Sequence, residues 1–256
     1  MKTLIAFLKK EWMDLVRSGR LMILLMIFIL LGIMNPAIAK LTPWLMETMA
    51  ASLEETGLVV TEVTVDAMTS WVQFFKNIPI GLIAFVLINS NLFTKEYGEG
   101  TLILVLTKGM ERYKVIVSKL VILLLSWSVC YWLCFGITYV YNAYFWDNSV
   151  AQNLMAAVTC WWILGIFVIA LMVLFSAVSQ NSTGVLLGTG GVFIACYFVG
   201  MLPKMKEYMP TNLMSTSGLL AGVEDISKYT TAVILTIVTS VLCVGLSVPI
   251  LNKKKL

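Results

Sequence analysis

Residues Leu21 to Ala39 read LMILLMIFILLGIMNPAIA, a run of 19 positions without one charged side chain. At a rise of about 1.5 Å per residue, a helix over this run covers roughly 28 Å, close to the ~30 Å hydrocarbon layer of a bilayer. Working outward, the same test picks out 78–93, 115–141, 154–178, 185–202 and 229–251. The whole chain fits that reading: 256 residues, 59% hydrophobic, 12% charged, mean hydropathy +0.90, against about 45–50% apolar content in soluble domains. No polar block is long enough to fold apart, so residues 1–256 are expected to form a single all-α membrane domain with six transmembrane helices.

Six spans put both termini on one side, and the basic residues choose the side. Lys2, Lys9, Lys10, Arg17 and Arg20, then Lys95, Lys108, Arg112, Lys114 and Lys119, then Lys253, Lys254 and Lys255 share one side, which makes 13 of the 18. Lys40, Lys76, Lys204, Lys206 and Lys228 lie on the other. Positive charge is retained on the cytoplasmic face, so both termini are expected in the cytoplasm. Residues 1–20 repeat Leu4, Ile5, Leu8, Trp12, Leu15 and Val16 at helical spacing with lysines off the stripe. This predicts an amphipathic helix in the inner interface, its lysines toward anionic headgroups. The run after it is too long for a signal-peptide core, so the leader is expected to stay as an anchor.

On the outer side, residues 40–77 form a connection too long for a turn. Apolar positions at helical spacing, Leu41, Trp44, Leu45, Met49 and Leu53, then Met68, Trp71, Val72 and Phe75, predict two amphipathic helices on the outer leaflet. Residues 203–228, with Pro210, Gly218 and Gly222 among apolar neighbours, predict an extracellular, re-entrant connection. Asn35-Pro36 is expected to kink the first span.

Several function classes are excluded or disfavoured. There is no histidine, which removes zinc proteolysis built on histidine ligands and Ser-His nucleophile pairs. There is no G-x-x-x-x-G-K-[ST], and Gly98, Gly100 and Gly109 are spaced wrongly for a phosphate cradle, so the chain does not bind ATP by that route. Cys130, Cys134, Cys160, Cys196 and Cys243 fall in apolar runs and read as core residues. Glu54-Glu55 sits among other acids and reads as a solvated face. Lys119 is the one ionisable side chain within the spans, where ion-coupled carriers usually keep several; it is expected to snorkel to the inner surface.

What remains is the segment 94–114: Thr94-Lys95-Glu96-Tyr97-Gly98-Glu99-Gly100-Thr101, the apolar run from Leu102 to Leu106, then Thr107-Lys108-Gly109-Met110-Glu111-Arg112-Tyr113-Lys114. Five apolar residues ringed by charge suit a short helix that seats in a groove on a partner, with the charges fixing register. The pattern Glu96-x-x-x-Gly100-Thr101, the apolar residues after it, and Arg112 and Lys119 at the next span resemble the permease subunits of ABC-2 type transporters. The likeness extends over the interfacial leader, the six spans and the two long outer connections. Lys108-Gly109 stands where many members have a proline near the following turn.

The resemblance implies the ABC-2, type V exporter-like permease fold and a transport subunit, not an enzyme. It implies a homodimer of this permease in a bacterial cell membrane, working with two copies of a separate ABC ATPase. Cofactors are none on this chain, ATP and magnesium belonging to the ATPase, and no nucleic acid is involved. Glu96, Glu99, Gly100, Thr101, Leu104, Lys108 and Arg112 would form the coupling element, with Gly100 permitting a tight turn, Thr101 capping the short helix and the charges pairing with the ATPase. The apolar, aromatic interior suits amphipathic or hydrophobic cargo, along a candidate path at Asn89, Trp127, Tyr131, Phe135 and Trp162. The layout is similar to exporters of peptide toxins and peptide-antibiotic immunity permeases. Drug or lipid export, or an ATP-independent carrier or channel, are the alternatives.

Overall fold

The computed structural model describes residues 2–54, 65–92, 94–98, 100, 107 and 110–253. Among them, helix α1 (Lys2–Arg17) is followed by α2 (Arg20–Glu54), α3 (Ala67–Asn89), the single turn α4 (Thr94–Gly98) and α5 (Arg112–Phe145). The chain continues through α6 (Leu154–Val178), α7 (Ser182–Gly200), the short α8 (Ser217–Leu220) and α9 (Ser227–Lys253). Helices α2, α3, α5, α6, α7 and α9 are each long and apolar enough to cross a membrane. They pack as two groups: α2 against α3 and α5, and α6 against α9 and α7, joined where α5 meets α6. α1 lies against α5 and α2, at the end of the bundle where α9 also finishes. That end is the near end, and the opposite one the far end.

Helix boundaries depart from the hydropathy limits where helices outlast the membrane. The fourth span coincides with its expected limits, 154–178. α2 instead runs on to Glu54, so the first expected surface helix of the 40–77 connection is a rigid continuation of the first span. The second, around 68–75, is the opening of α3, capped by Asp66, whose carboxylate accepts from the Thr69 amide at 3.1 Å. Residues 55–64, between them, lie outside the described residues. Residues 203–228 hold single turns, Lys206–Tyr208, Pro210–Met214 and α8, folded against the far ends of α6, α7 and α9. They close that end of the bundle.

Pro36 lies within α2 without ending it. A proline lacks an N–H, which orphans the carbonyl four residues earlier, here Gly32. The Thr138 hydroxyl of α5 donates to that carbonyl at 3.0 Å, and in turn accepts from Asn35 Nδ2 at 3.2 Å. Asn77 of α3 donates to Asn35 Oδ1 at 2.9 Å, so one polar chain ties the first three spans. Gly32 permits the approach, since a Cβ there would stand 3.0 Å from the Cys134 carbonyl oxygen. Thr138→Val, which keeps the shape and removes the hydroxyl, is expected to cost about 1–2 kcal/mol, measured as thermal unfolding of the purified protein in detergent.

The second join is aromatic. Trp127 of α5 is fully buried, with Phe28, Phe85 and Tyr131 rings 5.9, 5.5 and 5.3 Å away. Its indole donates to the Trp162 carbonyl at 3.3 Å, the Trp162 indole donates to Ser128 Oγ at 3.1 Å, and the Tyr131 hydroxyl donates to the Val158 carbonyl at 2.7 Å. Helix α6 can lie this close because Gly165 faces the indole. α6 is accordingly the central span, 67% of its most apolar window being buried against 11% for α7.

Candidate coupling site

At the near end, α1 presents to the bundle a ridge one turn apart in each step: Phe7, Glu11 and Leu15, all buried. Ile5, Trp12 and Val16 of the expected apolar stripe face outward instead. The stripe therefore splits, one side for the protein and one for the surroundings, and a carboxylate sits in the middle of the protein side. Gly19, with φ of +73°, makes the reversal from α1 into α2, in the left-handed region that glycine adopts without steric cost.

Lys119 of α5 lies against that ridge. Its side chain is 1% exposed, so it does not snorkel. Its ammonium reaches Glu11 Oε2 at 3.0 Å, Glu96 Oε2 at 3.1 Å and the Leu92 carbonyl at 3.0 Å, one acceptor for each of its three N–H bonds. The other oxygens of both carboxylates accept from Lys10, the Glu11 contact being 2.9 Å. Two ammonium groups and two carboxylates thus form a neutral cluster that joins α1, the end of the second span, the turn α4 and the third span. Burial by itself would lower the pKa of Lys10, but the Glu96 and Glu11 carboxylates outweigh it and hold it above its usual value. That stabilisation is complete below the ordinary lysine value and is lost only as pH rises through the raised one.

Glu96, expected to meet a partner, therefore turns into the bundle. Arg112 also turns inward: one guanidinium nitrogen donates to the Leu251 carbonyl and, at 3.1 Å, to that of Asn252, at the end of α9. Beside it the exposed Glu111 carboxyl is held below the usual carboxylate range by Lys114 at 2.8 Å. Gly100 has φ of +65°, the tight turn expected of it. Glu99, Thr101, Leu104 and Lys108 lie outside the described residues.

The residues expected along a cargo path are packed in the core. Trp127, Tyr131 and Phe135 belong to the buried aromatic cluster, Trp162 packs against it, and Asn89 is buried with its amide donating to the Phe85 carbonyl at 2.9 Å. Their aromatic character serves the α5–α6 join. An apolar groove of about 270 Å³ lies elsewhere, between Leu82, Val86 and Leu87 of α3 and Leu186, Gly190 and Phe193 of α7, floored by Val168. Among the described residues, no group of three or more Cys, Asp or Glu side chains is placed to hold a metal.

Sequence reading missed the Lys10–Glu11–Glu96–Lys119 cluster, although two signals were present. Glu11 stands four residues from Phe7 and from Leu15, and a lysine inside a span needs carboxylates near it.

Fold and site together define a multi-pass membrane subunit in which a buried ion cluster ties α1, α4 and α5. The sequence model of the family described as ABC-2 family transporter protein matches residues 5–244, and the chain belongs to that family. It is a membrane permease of the ABC-2 type, a transport subunit without a catalytic domain. Such permeases bind no cofactor and pair with separate ABC ATPase subunits. A search of the curated proteins finds no match.

Proposed function

We propose that this chain is the permease of an ATP-driven exporter, in which a partner ATPase acts on the segment 94–111 and cargo crosses between the spans. The observation that carries the coupling reading is the Glu96–Lys119–Glu11 contact. A partner pressing on the segment would move α4, α1 and the third span together, since buried ion pairs bind them. Glu99, Thr101, Leu104 and Lys108 are then the residues proposed to contact the ATPase. Both termini and this segment lie in the cytoplasm of a bacterial cell, as the distribution of lysine and arginine favours.

Two copies of the permease with two ATPases make the working unit. Support comes from α7, where Gly190 and Gly191 meet nothing within 4 Å of an added Cβ. Adjacent glycines weaken a helix by about 1 kcal/mol each, and in a membrane they let a second helix approach closely. The charge-free walls of the α3–α7 groove favour an amphipathic or hydrophobic cargo, and a peptide is the reading adopted. On this reading the groove replaces the expected path residues, and Trp127, Tyr131, Phe135 and Trp162 act by holding the core together.

The test is reconstitution of the chain with its ATPase in lipid vesicles. Peptide cargo is expected to stimulate ATP hydrolysis and to be transported, and Leu104→Asp is expected to abolish the stimulation. Stimulation by drugs or lipids alone would remove the peptide reading. Transport by this chain alone, driven by an ion gradient with no ATPase co-purifying, would overturn the exporter.

A further inference from the structure

The far side of the same segment carries a second tie. Arg112 is the first residue of α5, and its guanidinium bonds the carbonyls of Leu251 and Asn252. These lie in the last described turn of α9. One backbone hydrogen bond is missing between that turn and the rest of α9. Pro249 lies inside the helix and has no N–H to give to the Gly245 carbonyl. Gly245 itself packs on nothing, an added Cβ there meeting no atom within 4 Å. A cleft of about 610 Å³, lined by Met110, Glu111, Arg112, Tyr113, Val248 and Asn252, opens on one side of the tie, while on the other Leu251 is packed in the core and would carry the turn's displacement to its neighbours.

We infer that Arg112 is a positioning residue that carries the movement of the 94–111 segment into the sixth span, whose last turn pivots at Gly245–Pro249. The inference rests on the coupling reading above and extends it from the entry of the segment to its exit. At the entry, Glu96 holds α1 and the third span. At the exit, Arg112 holds the end of the sixth. A push on the segment is thereby divided between the two groups of helices, where Glu96 alone would deliver it to the first group only.

The experiment is amide hydrogen exchange on the reconstituted permease–ATPase complex, with and without a non-hydrolysable ATP analogue. In the unsubstituted complex, exchange in residues 94–111 and in residues 246–253 is expected to change together, the latter by about fivefold or more. In Arg112→Ala the 94–111 response persists while that of 246–253 falls below about twofold, and transport per ATP falls by a similar factor. Arg112→Lys keeps the charge without the planar fork and is expected to lie between; it also serves if the alanine variant fails to assemble. A cap with no role in transmission would leave 246–253 silent in the unsubstituted complex while 94–111 responds, which overturns the inference and spares the coupling reading. An undiminished 246–253 response in Arg112→Ala overturns it equally. A segment 94–111 that ignores the nucleotide in every variant overturns the coupling reading itself.

Discussion

Lys119→Met is expected to destabilise the protein by about 3–5 kcal/mol. The methionine fills much of the lysine's volume, but Glu11 and Glu96 are left in the bundle with Lys10 as their one remaining cluster partner, and the Leu92 carbonyl loses its bond. The cost comes from leaving charge buried without compensation, so removing one of those charges should return part of it. Glu11→Gln placed on Lys119→Met is expected to be less damaging than the sum of the two single changes by at least about 1 kcal/mol. Thermal unfolding of the three variants in detergent measures this. Strict additivity would mean that water reaches the cluster and that the brace between α1, α4 and α5 is loose.

Gly165→Ala is expected to cost about 3 kcal/mol, the upper part of the range for inserting a methyl into a packed core. The new Cβ would stand 2.2 Å from the Trp127 indole, and that ring is walled by Phe28, Phe85 and Tyr131. A flexible chain end could step aside, but a planar ring hydrogen-bonded to the Trp162 carbonyl has nowhere to go. Trp127→Leu alone is costly too, since it opens a cavity. In combination each change relieves the other, and the double variant should be more stable than the sum of the single effects predicts. If the two effects simply add within about 0.5 kcal/mol, the α5–α6 join does not depend on this contact.

Hydropathy located all six crossings because the transfer of apolar side chains into lipid is local in sequence. It placed the ends of α6 well, where Asn153 and Ser179 flank a run without a charged side chain. It misplaced those of α2 and α3, because hydropathy responds to the edge of the hydrocarbon and a helix responds to its own hydrogen bonds. Between Lys40 and Glu54 the helix that is already nucleated continues even through Pro43, as it does through Pro36. The site was half legible for a related reason. Gly100 needs only its own dihedral angles to take a left-handed conformation, and that was readable. Glu96 and Arg112 bear charge on a segment that looks exposed, but their partners are 23 and 139 residues away along the chain, at Lys119 and Leu251. Similarly, Trp127, Tyr131 and Phe135 follow a helical face that suits either a path or a core. The choice between them depended on Gly165, which lets another helix cover that face.

The neutrality of the Lys10–Glu11–Glu96–Lys119 cluster has an electrical consequence. A single charge carried across a membrane held at 100 mV exchanges about 2.3 kcal/mol with the field. Two positive and two negative groups that travel as one body exchange almost none. Lys119, the member of that set on a crossing helix, moves with its charge balanced by Glu11 and Glu96, so this cluster should leave the conformational cycle running at nearly the same rate in energised and in depolarised membranes. The membrane potential would be left to act on the cargo alone.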